Sequence, residues 1–399
     1  MNRLRVHIFL PGKAATLLLL LVGVSSFAVA DGHSIAGHSP AGHFPAEDWV
    51  VASAEEVNLD QSKIDRLFNM TFADDATLGA AFFKGGRLID ERYAEGFDKD
   101  SHGTSWSMAK SFYAALIGIS IDRGEIASLD DPVANYLDYF NDERRDITIR
   151  QILNMTSGLD FPSHEHENMF FSADHLAYAK KVGVEKPAGE LFEYNNVNSM
   201  LLADILLQVT GVPADKLLAD RIFNKIGLTD VVLWQDSAGN PLTYCCVDTT
   251  VRQYSRFGLL FARNGNWNGE QVIPSGYVDE TFTKVWDSSN YDERAVIFNA
   301  SGKFGQYIFV DRANDVVFTR ITKYYATGGS KQDWGALKYI NSFGSVKFRI
   351  ALAQFLDWIG LIKVQGNIKT PVTFDDGTSE EFFRDYSEIV DALIEASQP

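Results

Sequence analysis

The chain contains one serine followed three residues later by a lysine, in Ser107-Met108-Ala109-Lys110. On a helix this spacing sets both side chains on one face, close enough to interact. A serine hydroxyl is a weak nucleophile at neutral pH and needs a neighbour to accept its proton. A lysine amine can do so once burial or nearby positive charge lowers its pKa. The four residues therefore propose acyl transfer without a histidine base. Two fixed positions also recur by chance in a chain of this length, so other elements must support the pair.

Several elements are placed to position it. Thr104-Ser105-Trp106 leads into apolar residues at helical spacing, which predicts a helix over 108–121 closed by Gly124. Ser107 then lies at a helix N-terminus, where the dipole favours developing negative charge. Leu78 to Phe83 and Leu88 to Tyr93 read as a β-hairpin around Lys84-Gly85-Gly86-Arg87. Residues 130–270 are mostly helical in pattern, with helices from about 147 to Gly158, over 197–209 up to Gly211, over 213–226 and over 250–263. Strand signals return at 305–311 and 316–322 around Ala313-Asn314-Asp315, and 387–396 reads as a last helix. This order predicts an α+β fold: an antiparallel sheet built from both chain ends, flanked by helices, with a mostly helical middle.

Two further segments bear on chemistry. Tyr194, in Glu193-Tyr194-Asn195-Asn196, precedes a helix that Asn196 is placed to cap. A tyrosine there could relay a proton, and its phenol pKa would fall beside a lysine ammonium. The same residue would also serve as an ordinary tyrosine at a helix entrance, and a second Tyr-x-Asn stands at Tyr339-Ile340-Asn341. Ala300-Ser301-Gly302-Lys303-Phe304-Gly305 reads as a glycine-rich entrance to a strand, where backbone can approach a substrate or simply bend.

In order, Ser-Met-Ala-Lys, Tyr-Asn-Asn and a glycine-rich strand entrance resemble the serine β-lactamase and penicillin-binding-protein superfamily. Within it the chain is similar to class C β-lactamase-related serine hydrolases, a group that includes esterases and 6-aminohexanoate-dimer hydrolase. The segments ITIRQILNMTSGLDF, AGELFEYNNVNSMLLADILLQVTG, TTVRQYSRFGLLFARNGNW and GKFGQYIFVD share the likeness. The resemblance implies a β-lactamase/transpeptidase-like fold. It also implies Ser107 as the acylated nucleophile, Lys110 as its proton acceptor and Tyr194 as the acid and base for leaving group and water. Asn196 would position substrate or Lys110. The region of Gly302 and Lys303 would supply substrate contacts, with the N–H groups of Ser107 and Lys303 as oxyanion donors. One departure matters. β-Lactamases and D,D-peptidases carry Lys-Thr-Gly or His-x-Gly where this chain has Ala300-Ser301-Gly302, and strand alternation would turn Lys303 to the other face. An ester or amide without a recognised carboxylate fits that pattern better than a penicillin.

Composition bounds the setting. With 46% hydrophobic and 13% aromatic residues among 399, the chain can build a large core. Its formal charge of −17 argues against nucleic acid and anionic lipid as partners. Residues 1–30 read as a signal peptide: Arg3, Arg5 and Lys13, an apolar run over 14–24, and Ala28-Val29-Ala30. Periplasmic or secreted localisation, without stable membrane insertion after cleavage, is the expectation. Residues 31–48 read as a flexible leader, with His33, His38 and His43 in a Gly-His repeat that could also capture metal weakly. The hydrolase domain is expected over 49–399, its α/β part at about 49–130 and 271–399 and its helical part at about 131–270. Cys245 and Cys246 are adjacent, and two small buried thiols are slightly favoured over a vicinal bridge. No metal site and no cofactor are expected.

The sequence thus favours an exported serine hydrolase acting on a small ester or amide. A Ser-His-Asp enzyme competes poorly, because no Gly-x-Ser-x-Gly occurs. His164 and His166 read as substrate-loop or exposed-loop residues. A non-catalytic binding homologue and a β-lactamase or D,D-peptidase remain the alternatives, with specificity expected in loops 161–173 and 286–295.

Overall fold

Two adjacent residues with positive φ, Gly85 (63°) and Gly86 (74°), turn Thr77–Lys84 (β1) back into Arg87–Tyr93 (β2). Such a two-residue hairpin turn needs left-handed backbone at both positions, which Gly-Gly supplies without steric cost. In the computed structural model, residues 42–74, 76–162, 165–282, 297–323, 355, 359 and 380–399 are described. The remaining strands are His102–Thr104 (β3), Val232–Leu233 (β4), Val247–Thr250 (β5), Asn266–Trp267 (β6), Glu270–Gln271 (β7), Ile297–Gly302 (β8), Gln306–Asp311 (β9) and Val316–Thr322 (β10). The main sheet has the order β2-β1-β10-β9-β8, with antiparallel neighbours. The sheet is therefore assembled from early and late segments, as the pattern predicts. Strand β8 is an addition: the segment ending at Gly302, read as a bend into a strand, is itself the sheet edge beside β9. Strands β3, β5 and β4 form a small second sheet.

The helices in chain order are Gln61–Thr71 (α1), Ala109–Asp122 (α2), Ile149–Leu153 (α3), Glu165–Phe170 (α4), His175–Ala179 (α5), Asn196–Thr210 (α6), Ala214–Leu218 (α7), Val251–Ala262 (α8), Ser275–Thr281 (α9) and Glu380–Ser397 (α10). Strand alternation divides the core between them. Ala80, Phe82, Phe309 and Phe318 face one way, against Ile64, Leu67 and Phe68 of α1 and Ile389, Leu393 and Ala396 of α10. Ala81, Phe83, Ile308, Val310 and Val317 face the other, into a larger core with α2, α6 and α8. Helix α3 stops at Leu153, earlier than expected. Thr148 and Gln151 close its N-terminus as a capping box, but Met155 already takes φ 58° and the chain leaves the helix before Gly158. The stretch 213–226 is the short α7 followed by a π-helical turn, Ala219–Phe223.

Phe112 of α2 is fully buried, with ring centroids 4.4 Å from Phe257, 5.7 Å from Phe223 and 6.2 Å from Tyr254. It ties the Ser107 helix to α8 and so to the sheet. Phe112→Ala is expected to cost about 3–5 kcal/mol through lost contacts and a cavity. Urea unfolding should show this as a lower midpoint at unchanged slope.

Two sequence expectations change here. Residues 43–48, read as the end of a flexible leader, lie against the body. His43 N–H donates to Gly85 O at 3.1 Å, Arg256 donates to Ala46 and Glu47 carbonyls, and Phe44 sits 5.2 Å from the Trp267 ring. Cys245 and Cys246 form a disulfide with each other, so the expectation of two free thiols is wrong, although both are buried as expected. The signal segment 1–30, the rest of the leader to residue 41, His164, Tyr339-Ile340-Asn341 and the loop 286–295 lie outside the described residues.

Candidate active site

The turn that carries Ser107 is held from below. Ser105 N–H donates to Val247 O at 2.8 Å, and Val247 N–H donates back to Ser105 Oγ at 2.9 Å. Trp106 then takes φ 45°, a costly conformation for a bulky residue. This reversal sends the chain into the short 3-10 turn Trp106–Met108 and on into α2, leaving Ser107 at the start of a helical segment. The edge strand β8 closes on the same turn. A Cβ at Gly302 would stand 2.2 Å from Ser105 O, so only glycine permits this approach.

Lys110 projects from the first turn of α2 towards three oxygens. Its Nζ lies 3.0 Å from Ser107 Oγ, 2.8 Å from Asn196 Oδ1 and 2.7 Å from Tyr244 O. Burial pushes its pKa well below the ordinary 10.5. A neutral amine has two N–H donors and one lone pair. The amide oxygen of Asn196 and the carbonyl of Tyr244 can only accept, so together they take both N–H groups. The lone pair is left for the Ser107 hydroxyl, which is the orientation a proton acceptor needs.

Tyr194 completes the group, with its hydroxyl 2.5 Å from Ser107 Oγ. The residue is 42% exposed, yet its hydroxyl is turned inward at the serine. Burial around that oxygen pushes the phenol up to about 12, against the lowering effect of the Ser107 bond. The sequence expectation was a lowered value beside an ammonium. It fails because the lysine is itself buried and inclined to be neutral. The expected cap is also displaced by one residue. Asn195, not Asn196, caps α6 by accepting from Val197 N–H at 2.9 Å, and its amide donates to Leu159 O at 3.1 Å. Asn196 is the first residue of α6, and its side chain reaches Lys110 instead.

Lys303 sits in the turn between β8 and β9 rather than within a strand, so the alternation argument does not apply to it. Its charge, after burial and Lys110, helps push the His166 imidazole down to about 4. The third element thus lacks a lysine at position 300 but has a cation whose field reaches the site. His166 stacks on Phe161 at 4.9 Å and lies 5.9 Å from the Tyr194 ring. Trp106 meets Phe304 at 5.6 Å and Phe170 at 6.0 Å, giving the region around Ser107 an aromatic wall. The structure brings together Ser107, Lys110, Tyr194 and Asn196, and sets Gly302 against the serine turn. Sequence reasoning missed Tyr244, which contributes a backbone carbonyl and therefore leaves no side-chain signature. Its neighbours Cys245-Cys246 were the only unusual feature nearby.

A five-stranded antiparallel sheet of this order, with a Ser-x-x-Lys helix and a Tyr-x-Asn turn meeting at its edge, defines the β-lactamase/transpeptidase-like class of serine hydrolases. Residues 69–340 match the Beta-lactamase family, and the chain belongs to it. A D-aminopeptidase from Brucella anthropi is 31% identical over 206 residues, 49% of this chain and 38% of that protein. The chain spans less than two thirds of the length of the curated relatives it matches. Among solved structures, a penicillin-binding protein homologue from Caulobacter crescentus aligns with TM-score 0.56 at 18% identity, covering 65% of this chain and 91% of that one. EstCE1, a hydrolase with promiscuous acyltransferase activity, aligns with TM-score 0.56 at 14% identity, covering 71% and 99%.

Proposed function

We propose that this protein is an exported hydrolase that cleaves a small ester or amide through an acyl-enzyme on Ser107. The observation that carries this reading is the three-way setting of Lys110 Nζ, 3.0 Å from Ser107 Oγ, 2.8 Å from Asn196 Oδ1 and 2.7 Å from Tyr244 O, in which a neutral amine gives its two N–H groups to the two carbonyl oxygens and turns its lone pair to Ser107. In acylation Ser107 Oγ attacks the carbonyl carbon and its proton passes to Lys110. The N–H groups of Ser107 and Lys303 stabilise the oxyanion. Tyr194 donates its proton to the departing alcohol or amine. The resulting phenolate then takes a proton from water as that water attacks the acyl carbon, and Lys110 returns its proton to Ser107 as the acid leaves. Both residues end as they began.

The aromatic wall and the exposed Leu191 and Phe192 beside Tyr194 support an apolar acyl or leaving group. Ester cleavage demands less of the acid than amide cleavage and is the primary reading. The position of Lys303, in the turn that follows Gly302 with its ammonium over the Phe304 ring, keeps an anionic amide or β-lactam as a second reading. The signal-like residues 1–30 support periplasmic or secreted placement.

A fluorophosphonate probe tests the core of the proposal. Intact-mass analysis should show one adduct per chain on the wild type and none on Ser107→Ala. Folded wild type that resists the probe would leave a non-catalytic binding homologue. A panel of p-nitrophenyl esters, short amides and nitrocefin then separates the substrate readings.

A further inference from the structure

The Cys245–Cys246 disulfide lies within the hydrogen-bonded frame of this site. Tyr244, immediately before it, accepts from Lys110 Nζ at 2.7 Å. Cys246 N–H donates to Trp106 O at 3.4 Å, beside the nucleophile, and Cys246 O accepts from Trp234 N–H at 3.2 Å. Val247, immediately after it, exchanges hydrogen bonds with Ser105. The residues from Tyr244 to Val247 therefore touch the lysine and both residues that precede Ser107. Cys246 takes φ 78°, a backbone state that non-glycine residues avoid, so something must hold it there. A bridge between neighbours closes almost no loop and adds little to global stability. Its effect is local, on the direction of the peptides it joins.

We propose that this vicinal disulfide is a redox-sensitive positioning element that holds the Tyr244 carbonyl on Lys110. The inference rests on the acyl-enzyme reading. A dithiol reductant would transfer two electrons and two protons, breaking the S–S bond into two thiols and becoming a disulfide itself. The freed peptides can then rotate, and the Tyr244 carbonyl leaves Lys110. One N–H loses its fixed acceptor, so the lone pair is no longer directed at Ser107. The titratable and charged groups around the lysine are Tyr194 before α6, Tyr244 itself, His166 on α4 and Lys303 on the β8–β9 turn. The Tyr194 hydroxyl is engaged with Ser107 Oγ and the Tyr244 hydroxyl with His175 Nδ1, neutral His166 is stacked on Phe161, and Lys303 has donors only, so the carbonyl has no ready substitute among them.

The test compares oxidised wild type, wild type reduced with dithiothreitol, and Cys245→Ala/Cys246→Gly, in which glycine tolerates the left-handed backbone. Reduction is followed as a mass gain of two hydrogens, and folding by circular dichroism. For a p-nitrophenyl ester, kcat should fall about tenfold in both altered forms with KM little changed. The ascending limb of the pH profile should move to lower pH, because a carbonyl acceptor favours the ammonium form and its loss lowers the lysine pKa further, and reoxidation should restore the reduced sample. Folded reduced protein, or a folded variant, with wild-type kcat and an unmoved limb would overturn the proposal. A disulfide that resists dithiothreitol in the native protein would overturn its redox part, and the variant would then decide the positioning part. If the variant fails to fold, reduced wild type decides. Oxidised wild type that neither takes the fluorophosphonate nor hydrolyses esters would instead sink the hydrolase reading itself.

Discussion

Lys110→Met is expected to lower kcat/KM for ester hydrolysis by roughly 10⁴-fold or more, the scale seen when a member of a nucleophile–base unit is removed. Among the described residues, no second base stands in the right place. Tyr194 also contacts Ser107 Oγ, but its pKa of about 12 keeps it protonated at neutral pH, so it donates to the serine rather than accepting from it. His166 is basic only weakly, and its ring is stacked on Phe161. Methionine fills similar volume without a proton-accepting nitrogen, so protein should still fold and the fluorophosphonate adduct should form far more slowly. A Lys110→Met variant with near wild-type turnover would remove the lysine from the mechanism.

The same lysine sets the pH dependence. The proposed mechanism requires the neutral amine, so kcat/KM should rise with pH along a limb centred well below 10.5 and then level. The sign for stability follows from proton counts. Unfolded Lys110 takes its ordinary pKa, while the folded residue is depressed, so between the two values the unfolded state binds more protons. Stability should therefore rise with pH across that window. Lys110→Met should lose that rise, which denaturant midpoints measured at several pH values would reveal.

Much of this arrangement is legible in the sequence because side-chain chemistry and periodicity report it directly. Ser107 and Lys110 are visible from spacing, and the Leu78–Tyr93 hairpin from its Gly-Gly turn. The early and late strands are apolar runs of the right length, and β1, β9 and β10 appear where expected. What the sequence obscures is decided by backbone. The contact from Tyr244 is a carbonyl that any residue would carry. Whether Asn195 or Asn196 caps α6 depends on which of two identical side chains turns inward, and the sequence cannot order them. Strand β8 escapes notice because Asn299-Ala300-Ser301-Gly302 has little strand propensity and is held by pairing with β9. The disulfide escapes because bridging neighbouring cysteines goes with a rare backbone state, here φ 78° at Cys246, that the residue types do not announce.

Tyr194→Phe should discriminate between substrates by their leaving groups. A phenol at about 12 is a stronger acid than an ordinary alcohol or amine product, so it can hand over its proton as the bond breaks. An alkyl ester or an amide needs that proton, and the variant should lose roughly 10²–10⁴-fold in acylation rate on them. p-Nitrophenolate leaves without help, so acylation by its esters should be much less affected. In the proposed mechanism deacylation also uses Tyr194, because water must lose a proton to the phenolate formed in the first step. The variant should therefore show a burst of p-nitrophenol followed by slow turnover, and mass spectrometry should find acyl-enzyme accumulating on Ser107. This pattern separates an acid and base role from simple packing. A tyrosine that only supports the site would depress burst and steady state together, for activated and unactivated substrates alike. Equal losses on p-nitrophenyl and alkyl esters, with no burst, would assign the Ser107 contact to structure and leave Lys110 to activate the water.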